Sequence, residues 1–326
     1  LNKFFPAGFY YKTFMWPKSF WYKVYEPIIR KAAGFGAASI KHDKERYEHK
    51  YEYCDLLIAG SGPSGLASAY SAAKNGAKVI LAEDKPRFGG SLLTSEVTIG
   101  NQSGQEWVKK IISELKMMPN VVIKNRSQVF GYYDHNMLVM SERVSDHLPQ
   151  TKKYSPKQRL WYIRAKEVII SSGSIERPLV FGNNDTPGVL LSSAAKEYLK
   201  VYGVLVGKKP LIFTNNDSGY ETAIDFKKAG VDPIILDTRK NPNSDIIKEA
   251  KDLNIDIKFS YVVVAAKGYK KVKSADIARI SDDKKDLSNI VNIKCDCICV
   301  SGFWTPTIHL ASQSGNKTKF NEKIDA

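Results

Sequence analysis

Short unbroken apolar runs alternate along this chain with stretches in which apolar residues recur at helical spacing, the pattern of buried parallel strands joined by helices. The clearest unit opens at Cys54-Asp-Leu-Leu-Ile-Ala-Gly60 and passes through Ser61-Gly62-Pro63-Ser64-Gly65 into an alanine-rich stretch that stops at Lys74-Asn75-Gly76. The next apolar run, Ala77-Lys-Val-Ile-Leu-Ala-Glu83, ends in an acid. The spacing predicts strand, turn, helix, strand. Residues 105–117 then place Trp107, Ile111, Ile112 and Leu115 on one side of a helix. Strands are predicted at 121–124, 128–133 and 137–140, the last two forming a hairpin or meander, and at 160–173, which closes in a small-residue turn at Gly173.

A second unit of the same kind follows. Lys209-Pro-Leu-Ile-Phe-Thr214-Asn-Asn216-Asp-Ser-Gly219 leads into a helix that stops at Gly230, and Pro233-Ile-Ile-Leu-Asp237 is the strand after it. Positions 214, 216 and 219 repeat the spacing of 60, 62 and 65. In the first turn Gly60 permits the tight bend, Gly62 lets the backbone approach a pyrophosphate, and Gly65 lets helix and strand pack closely. Free N–H groups of the helix N-terminus then face an anion, and Glu83 stands where a ribose hydroxyl would be held. In the second turn only Gly219 is glycine, so the unit is expected to keep the fold and to have lost the ligand. The fold class is α/β, with two Rossmann-like dinucleotide-binding domains. The first is expected over 51–190 and 291–326, with the second, over 191–290, inserted in it, and 1–50 is an aromatic-rich segment and linker.

That first segment carries Phe4, Phe5, Phe9, Tyr10, Tyr11, Phe14, Trp16, Phe20, Trp21 and Tyr22, a density far above the 11% of the whole chain. Pro6, Pro17 and several lysines exclude a spanning helix, so these rings either wrap the domain or dock on a partner. A short helix is predicted at 26–34 and a charged linker at 42–50. No apolar run anywhere approaches the roughly 20 residues a membrane span needs. The 326 residues carry 49 Lys+Arg against 34 Asp+Glu, a net +15, but the lysines are scattered and no basic run interleaves with aromatics, which excludes a nucleic-acid platform.

Four cysteines that make no disulfide framework argue for a reducing compartment, and the lack of a C-x-x-C argues against a dithiol relay. Cys295, Cys297 and Cys299 alternate, which would set three sulfurs on one strand face, yet no His or fourth ligand lies near in sequence and no metal site is expected. The chain starts at Leu1 instead of methionine, as a fragment or a processed product would.

An intact glycine turn, a degenerate second unit, Ile175-Glu-Arg-Pro and Gly302-Phe-Trp-Thr-Pro together resemble the two-dinucleotide-domain fold of the glutathione and thioredoxin reductases. Longer phrases are more specific: Pro6-Ala-Gly-Phe-Tyr-Tyr-Lys-Thr-Phe-Met-Trp-Pro, Phe130-Gly-Tyr-Tyr-Asp-His-Asn136, Asn184-Asp-Thr-Pro-Gly-Val, Phe213-Thr-Asn-Asn-Asp-Ser and Val300-Ser-Gly-Phe-Trp-Thr-Pro. They resemble the alpha subunits of heterotetrameric sarcosine oxidases, over nearly the whole chain. The resemblance implies a cytoplasmic complex that demethylates sarcosine oxidatively to glycine, with hydrogen peroxide and, from tetrahydrofolate, methylenetetrahydrofolate as products. It implies a flavin-bearing beta subunit and smaller subunits as partners, FMN at the alpha–beta boundary, and NAD in this subunit's first dinucleotide site, with FAD as the alternative. Carried over, the cofactor-binding residues would be Gly60, Ser61, Gly62, Pro63, Ser64 and Gly65 at the turn, Glu83 and Asp84 at the ribose, Gly90 and Ser91 in the following loop, Val129 near the adenine, and Gly173. The family's upstream domain and its folate-binding C-terminal domain have no counterpart in these residues, which would put the folate step outside this chain.

No nucleophile–base pair or carboxylate pair can be assembled from the sequence, so catalytic residues are left unassigned and His135 and His309 are expected to be structural. Two other readings stay open here: a self-contained FAD- or NAD-dependent oxidoreductase, and a non-catalytic interaction subunit stabilised by nucleotide.

Overall fold

The computed structural model describes residues 16–34, 36, 39–149, 154–280, 287–315 and 317–322. The chain divides into two compact units, Leu1–Glu45 and Arg46–Ala326. In the first, a helical turn at Trp21–Tyr25 runs into the helix Glu26–Ala32, where the short helix was expected. Pro27 lies in its first turn, where no intrahelical donor is lost. Trp16, Phe20 and Tyr22 are exposed, and the aromatic residues of 1–15 lie outside the described residues.

The second unit opens on β1 (Tyr47–Ala59), α1 (Pro63–Lys74) and β2 (Val79–Ala82). It continues through α2 (Gly104–Met117) and β3 (Val121–Lys124) to β4 (Ser127–Tyr133), β5 (Met137–Arg143) and β6 (Gln158–Ile170). These strands form one six-stranded sheet in the order β3-β2-β1-β6-β5-β4. The first three and β6 run parallel, and β4 to β6 are the antiparallel meander. Ile58 and Leu81 point to one face, where they pack with Leu66 and Ala69 of α1 and Ile111 and Leu115 of α2. Leu57 and Ile80 point to the other, against Leu138, Met140 and Ile163 of the meander. Ser103 and Glu106 exchange side-chain and backbone hydrogen bonds, the reciprocal cap that fixes where α2 begins.

The charged stretch expected to be a linker to residue 50 is in part a strand. β1 begins at Tyr47 and pairs with β6 from Gln158 onward. Tyr47, Tyr51 and Tyr53 alternate with Glu48, Lys50 and Glu52, a period of two that the charges hide when only composition is weighed. Glu48 meets Arg159 at 3.0 Å across the pair, and Tyr51 stacks on Tyr162 with ring centres 5.1 Å apart.

After β7 (Ser174–Glu176) the chain builds β8 (Val189–Leu191), α3 (Ser192–Tyr202), β9 (Pro210–Thr214), α4 (Ser218–Lys228), β10 (Ile234–Asp237), α5 (Asp245–Asp252) and β11 (Asp256–Phe259). An antiparallel three-stranded sheet follows, β12 (Tyr261–Gly268), β13 (Val272–Ile280) and β14 (Leu287–Lys294). Then β15 (Cys297–Ser301) enters a five-stranded parallel sheet in the order β8-β15-β9-β10-β11. Finally β16 (Trp304–Pro306) pairs antiparallel with β7, and α6 (His309–Gln313) returns to the first sheet, where the Tyr132 N–H donates to the Gln313 side chain at 2.8 Å.

Two expectations are corrected by this topology. The second domain was expected to end at 290, but β15 lies inside its sheet, between β8 and β9, with all five residues buried, so the return to the first domain begins at β16. Nor do three sulfurs share a strand face. Cys297 and Cys299 pack with Ile212 and Tyr220, whereas Cys295, before the strand begins, packs on the other side with Phe181 and Leu211. Asp296 breaks the alternation, its carboxylate accepting from the Lys208 and Lys209 N–H groups at 2.8 Å each.

Candidate functional site

The turn after β1 contains two glycines that the fold itself demands and one that it does not. Gly60 has φ +106°, and a Cβ there would lie 2.3 Å from the Ser171 carbonyl oxygen just past β6. One on Gly65 would lie 2.0 Å from the Gly60 carbonyl oxygen. Both positions exclude any side chain. Gly62 sits at φ −65°, ψ −177°, extended backbone open to every residue, and nothing lies within 4 Å of where its Cβ would stand. The open space lies at the N-terminus of α1, which begins on Pro63 and has no side-chain cap, so the positive end of the helix dipole faces it. Gly90, at φ +53°, rests on this turn: a Cβ there would come within 2.8 Å of the Gly62 Cα.

Beneath the turn, the fully buried Ser61 donates to one Glu83 carboxyl oxygen from its N–H at 2.9 Å and from its hydroxyl at 2.5 Å. The other oxygen accepts from the Lys85 N–H at 3.0 Å. Of the roughly four acceptor sites a carboxylate offers, these N–H and O–H groups take three. Burial pushes the Glu83 carboxyl above the usual range and a hydrogen bond with Asp84 adds to this, against the bonds from Ser61 and Lys85. The Ser127 N–H donates to the Glu83 carbonyl at 2.8 Å, which brings the start of β4, and with it Val129, to the same end of the sheet. Gly173 follows Ser171 at φ +67° and accepts from the Thr307 N–H at 2.9 Å. The structure thus gathers Gly60 to Gly65, Glu83, Gly90 and Gly173 at the carboxyl ends of β1, β2 and β6, the edge at which doubly wound sheets bind ligands. Asp84 and Ser91 are exposed on the connecting loop, and the Ser61 hydroxyl is spent on Glu83.

The equivalent place in the second sheet is filled by the protein. The buried Thr214 hydroxyl donates to the Asn216 carbonyl at 2.8 Å, and its methyl-bearing carbon stands 2.7 Å from where a Cβ on Gly219 would be. Asn216 accepts from the Ser218 N–H at 2.9 Å, occupying a donor at the start of α4, and donates to the Ser301 carbonyl at 3.1 Å. Asp237, the counterpart of Glu83, is fully buried and accepts from the Tyr220 hydroxyl at 2.7 Å and from Arg239 at 2.8 Å. Arg239 pairs also with Asp217 at 2.8 Å. Sequence reasoning found Thr214 and Asn216 but missed Tyr220 and Arg239, because nothing in the turn's spacing points to a helix residue or to a cation two places past the acid.

His135 lies in the β4–β5 hairpin at φ +56°, its carbonyl accepting from Arg164 at 2.8 Å, and His309 begins α6. All four cysteines are free and buried, and burial holds the Cys54 and Cys295 thiols up at about 12, out of reach of thiolate chemistry. A cavity of about 460 Å³ opens beside Pro210, Ile234 and Asp256, at the amino ends of the second sheet's strands and so at the end opposite to the turn. It has no part in the site. Among the described residues no helix is long and apolar enough to cross a membrane.

The profile of the pyridine nucleotide-disulphide oxidoreductases matches residues 54–326. Over 318 residues the chain is 40% identical to the sarcosine oxidase subunit alpha of Rhizobium meliloti (strain 1021), covering 97% of this chain and 31% of that protein. It is 31% identical to the sarcosine oxidase subunit alpha of Corynebacterium sp. (strain U-96), covering 90% of this chain and 31% of that protein. The chain therefore spans about a third of the length of these curated relatives. Among solved structures, the T. acidophilum thioredoxin reductase superposes with a TM-score of 0.63 at 18% identity, covering 82% of each chain. The L-proline dehydrogenase of P. horikoshii superposes with a TM-score of 0.60 at 21% identity over 87% of this chain and 49% of its own. At such identities these two show the fold alone.

Proposed function

The chain belongs to the pyridine nucleotide-disulphide oxidoreductase family, and from that premise we propose that it is the dinucleotide-binding part of a sarcosine oxidase alpha subunit. The observation that carries the reading is the contrast between the two turns. At Gly62 the fold leaves glycine and empty space at an uncapped helix, whereas Thr214 and Asn216 occupy the matching position. One dinucleotide site per chain is what this contrast supports, and it favours a subunit over a self-contained reductase, which would need both.

In this reading Gly60 to Gly65 hold the pyrophosphate of NAD, or of FAD in its place, with Glu83 toward the ribose and Val129 near the adenine. The dinucleotide would supply hydride-carrying redox chemistry. This chain's own part is to bind it through backbone donors, to orient the ribose through a carboxylate fixed by Ser61 and Lys85, and to keep that carboxylate out of bulk water. Oxidation of sarcosine would take place on the flavin of a partner beta subunit, with FMN at the boundary between them, in a cytoplasmic heterotetramer. The folate step would belong to residues beyond these. Support for the substrate is the likeness to the two sarcosine oxidase alpha subunits.

The test is co-expression with a sarcosine oxidase beta subunit. A yellow complex that consumes oxygen when given sarcosine, with no turnover by this chain alone, is the expected result. Peroxide produced from sarcosine by the isolated chain would overturn the subunit reading.

A further inference from the structure

The loop that rests on Gly62 is tied at four points to the second domain, and three of the four ties run to one helix. From the loop, Lys85 pairs with Glu197 of α3 at 2.9 Å. Arg87 donates to the Val201 carbonyl at 3.1 Å, with its guanidinium 5.6 Å from the Tyr202 ring centre. Glu96 pairs with Lys200 of α3 at 2.8 Å and with Lys228 of α4 at 3.2 Å. Lys200 is itself held at 2.7 Å by the buried Asp225 of α4. At its other end α3 is anchored to the crossing between domains, where the buried Glu176 of β7 accepts from the Ser193 N–H at 2.7 Å.

We propose that α3 fastens the first-site loop to the second domain, and that Glu96 and Glu197 are positioning residues for nucleotide retention. The proposal rests on the reading that a dinucleotide sits at the first turn. Its physical basis is preorganisation: Gly90 and Ser91 belong to this loop, and a loop already held in place costs the ligand less ordering on binding. An exposed ion pair is weak by itself, but here several converge on one short segment and one of the lysines is gripped by a buried acid. The carboxyl of Glu96 is held below its usual range by hydrogen bonds from Lys200 and Lys228. Burial works against the Lys200 ammonium, and its bonds to Asp225 and Glu96 outweigh that and leave its pKa raised. A domain whose own turn is plugged thereby keeps a task, as the clamp on its neighbour's ligand loop.

The experiment compares the full chain with the double variant Glu96→Gln, Glu197→Gln, and uses Gly62→Val as the control that blocks the site. NAD+ and FAD are the probes in calorimetric titrations at low and high salt, and hydrogen exchange is followed over residues 85–97 without nucleotide. The double variant should exchange faster over 85–97 and bind its nucleotide roughly three- to tenfold more weakly, with a smaller loss of affinity on adding salt than the unmodified chain shows. Unchanged exchange over 85–97 overturns the clamp whether or not nucleotide binds. Faster exchange with an unchanged dissociation constant overturns the positioning role. Failure of the underlying reading has its own signature: neither probe binds the unmodified chain, or Gly62→Val binds as well as it does.

Discussion

Gly62 is where fold and ligand make separable demands, so replacing it should separate stability from binding. At φ −65°, ψ −177° alanine is unstrained, and its methyl group would enter space empty to 4 Å. Reduced freedom of the unfolded chain favours Gly62→Ala by about 0.4–1 kcal/mol. Loss of a good N-cap costs a comparable amount, roughly 0.5–1 kcal/mol, so the two nearly cancel. The melting temperature of the nucleotide-free chain should therefore move by no more than about 4 °C. Binding should respond quite differently. A side chain at 62 stands where the pyrophosphate must approach, and losing two charge-assisted hydrogen bonds at about 1.5–3 kcal/mol each removes about 3–6 kcal/mol, at least about 150-fold in Kd. Gly62→Val fills the space more completely and should retain no measurable nucleotide. By contrast Gly65→Ala forces a contact of 2.0 Å with the Gly60 carbonyl and should fail to fold. Thermal melting and calorimetric titration of the three variants check this. A Gly62→Ala chain that unfolds, or one that folds and binds with unchanged affinity, would refute the assignment of the open space to a ligand.

Other outcomes follow from the networks around each turn. Because burial raises the Glu83 carboxyl, its contribution to stability is present at low pH and is lost as pH rises from the ordinary 4.5 through the raised value; the melting temperature of Glu83→Gln relative to the unmodified chain should climb over that interval, while nucleotide affinity falls about tenfold or more. A flat difference across pH would show that Glu83 keeps its ordinary pKa. Asp237→Asn removes the buried charge that holds Arg239, leaving Asp217 as its acidic partner, and should cost roughly 2–4 kcal/mol, read as a fall of about 5–10 °C in melting temperature with the first site still binding. NADH should give no hydrogen-exchange protection to residues 214–219, since Thr214 and Asn216 already occupy the turn, and Thr214→Gly with Asn216→Gly should not restore binding while Tyr220 and Arg239 hold Asp237. Protection there in the unmodified chain would show that the second site is open.

The glycine turn was legible because three backbone demands fall at fixed spacing, and its loss at 214 and 216 was legible for the same reason. What spacing could not say is which glycines serve the fold: Gly60 and Gly65 are excluded from change by carbonyl oxygens, Gly62 by nothing in the protein. The start of β1 was hidden because Glu48 and Lys50 read as a linker, although Arg159 across the sheet neutralises Glu48. The place of β15 between β8 and β9 was invisible because an apolar run does not disclose its neighbours, and pairing partners far along the chain decide it. The ties from Lys85, Arg87 and Glu96 to α3 join residues more than a hundred positions apart, beyond the reach of any local pattern.

Native mass spectrometry of the unmodified chain and of Gly62→Val, each incubated with NAD+ or FAD, tests the central claim most directly. The account predicts a single dinucleotide on the unmodified chain and none on Gly62→Val, with both chains folded. Two nucleotides per chain, or an unmodified chain that takes up neither, or equal occupancy in the variant, would contradict it.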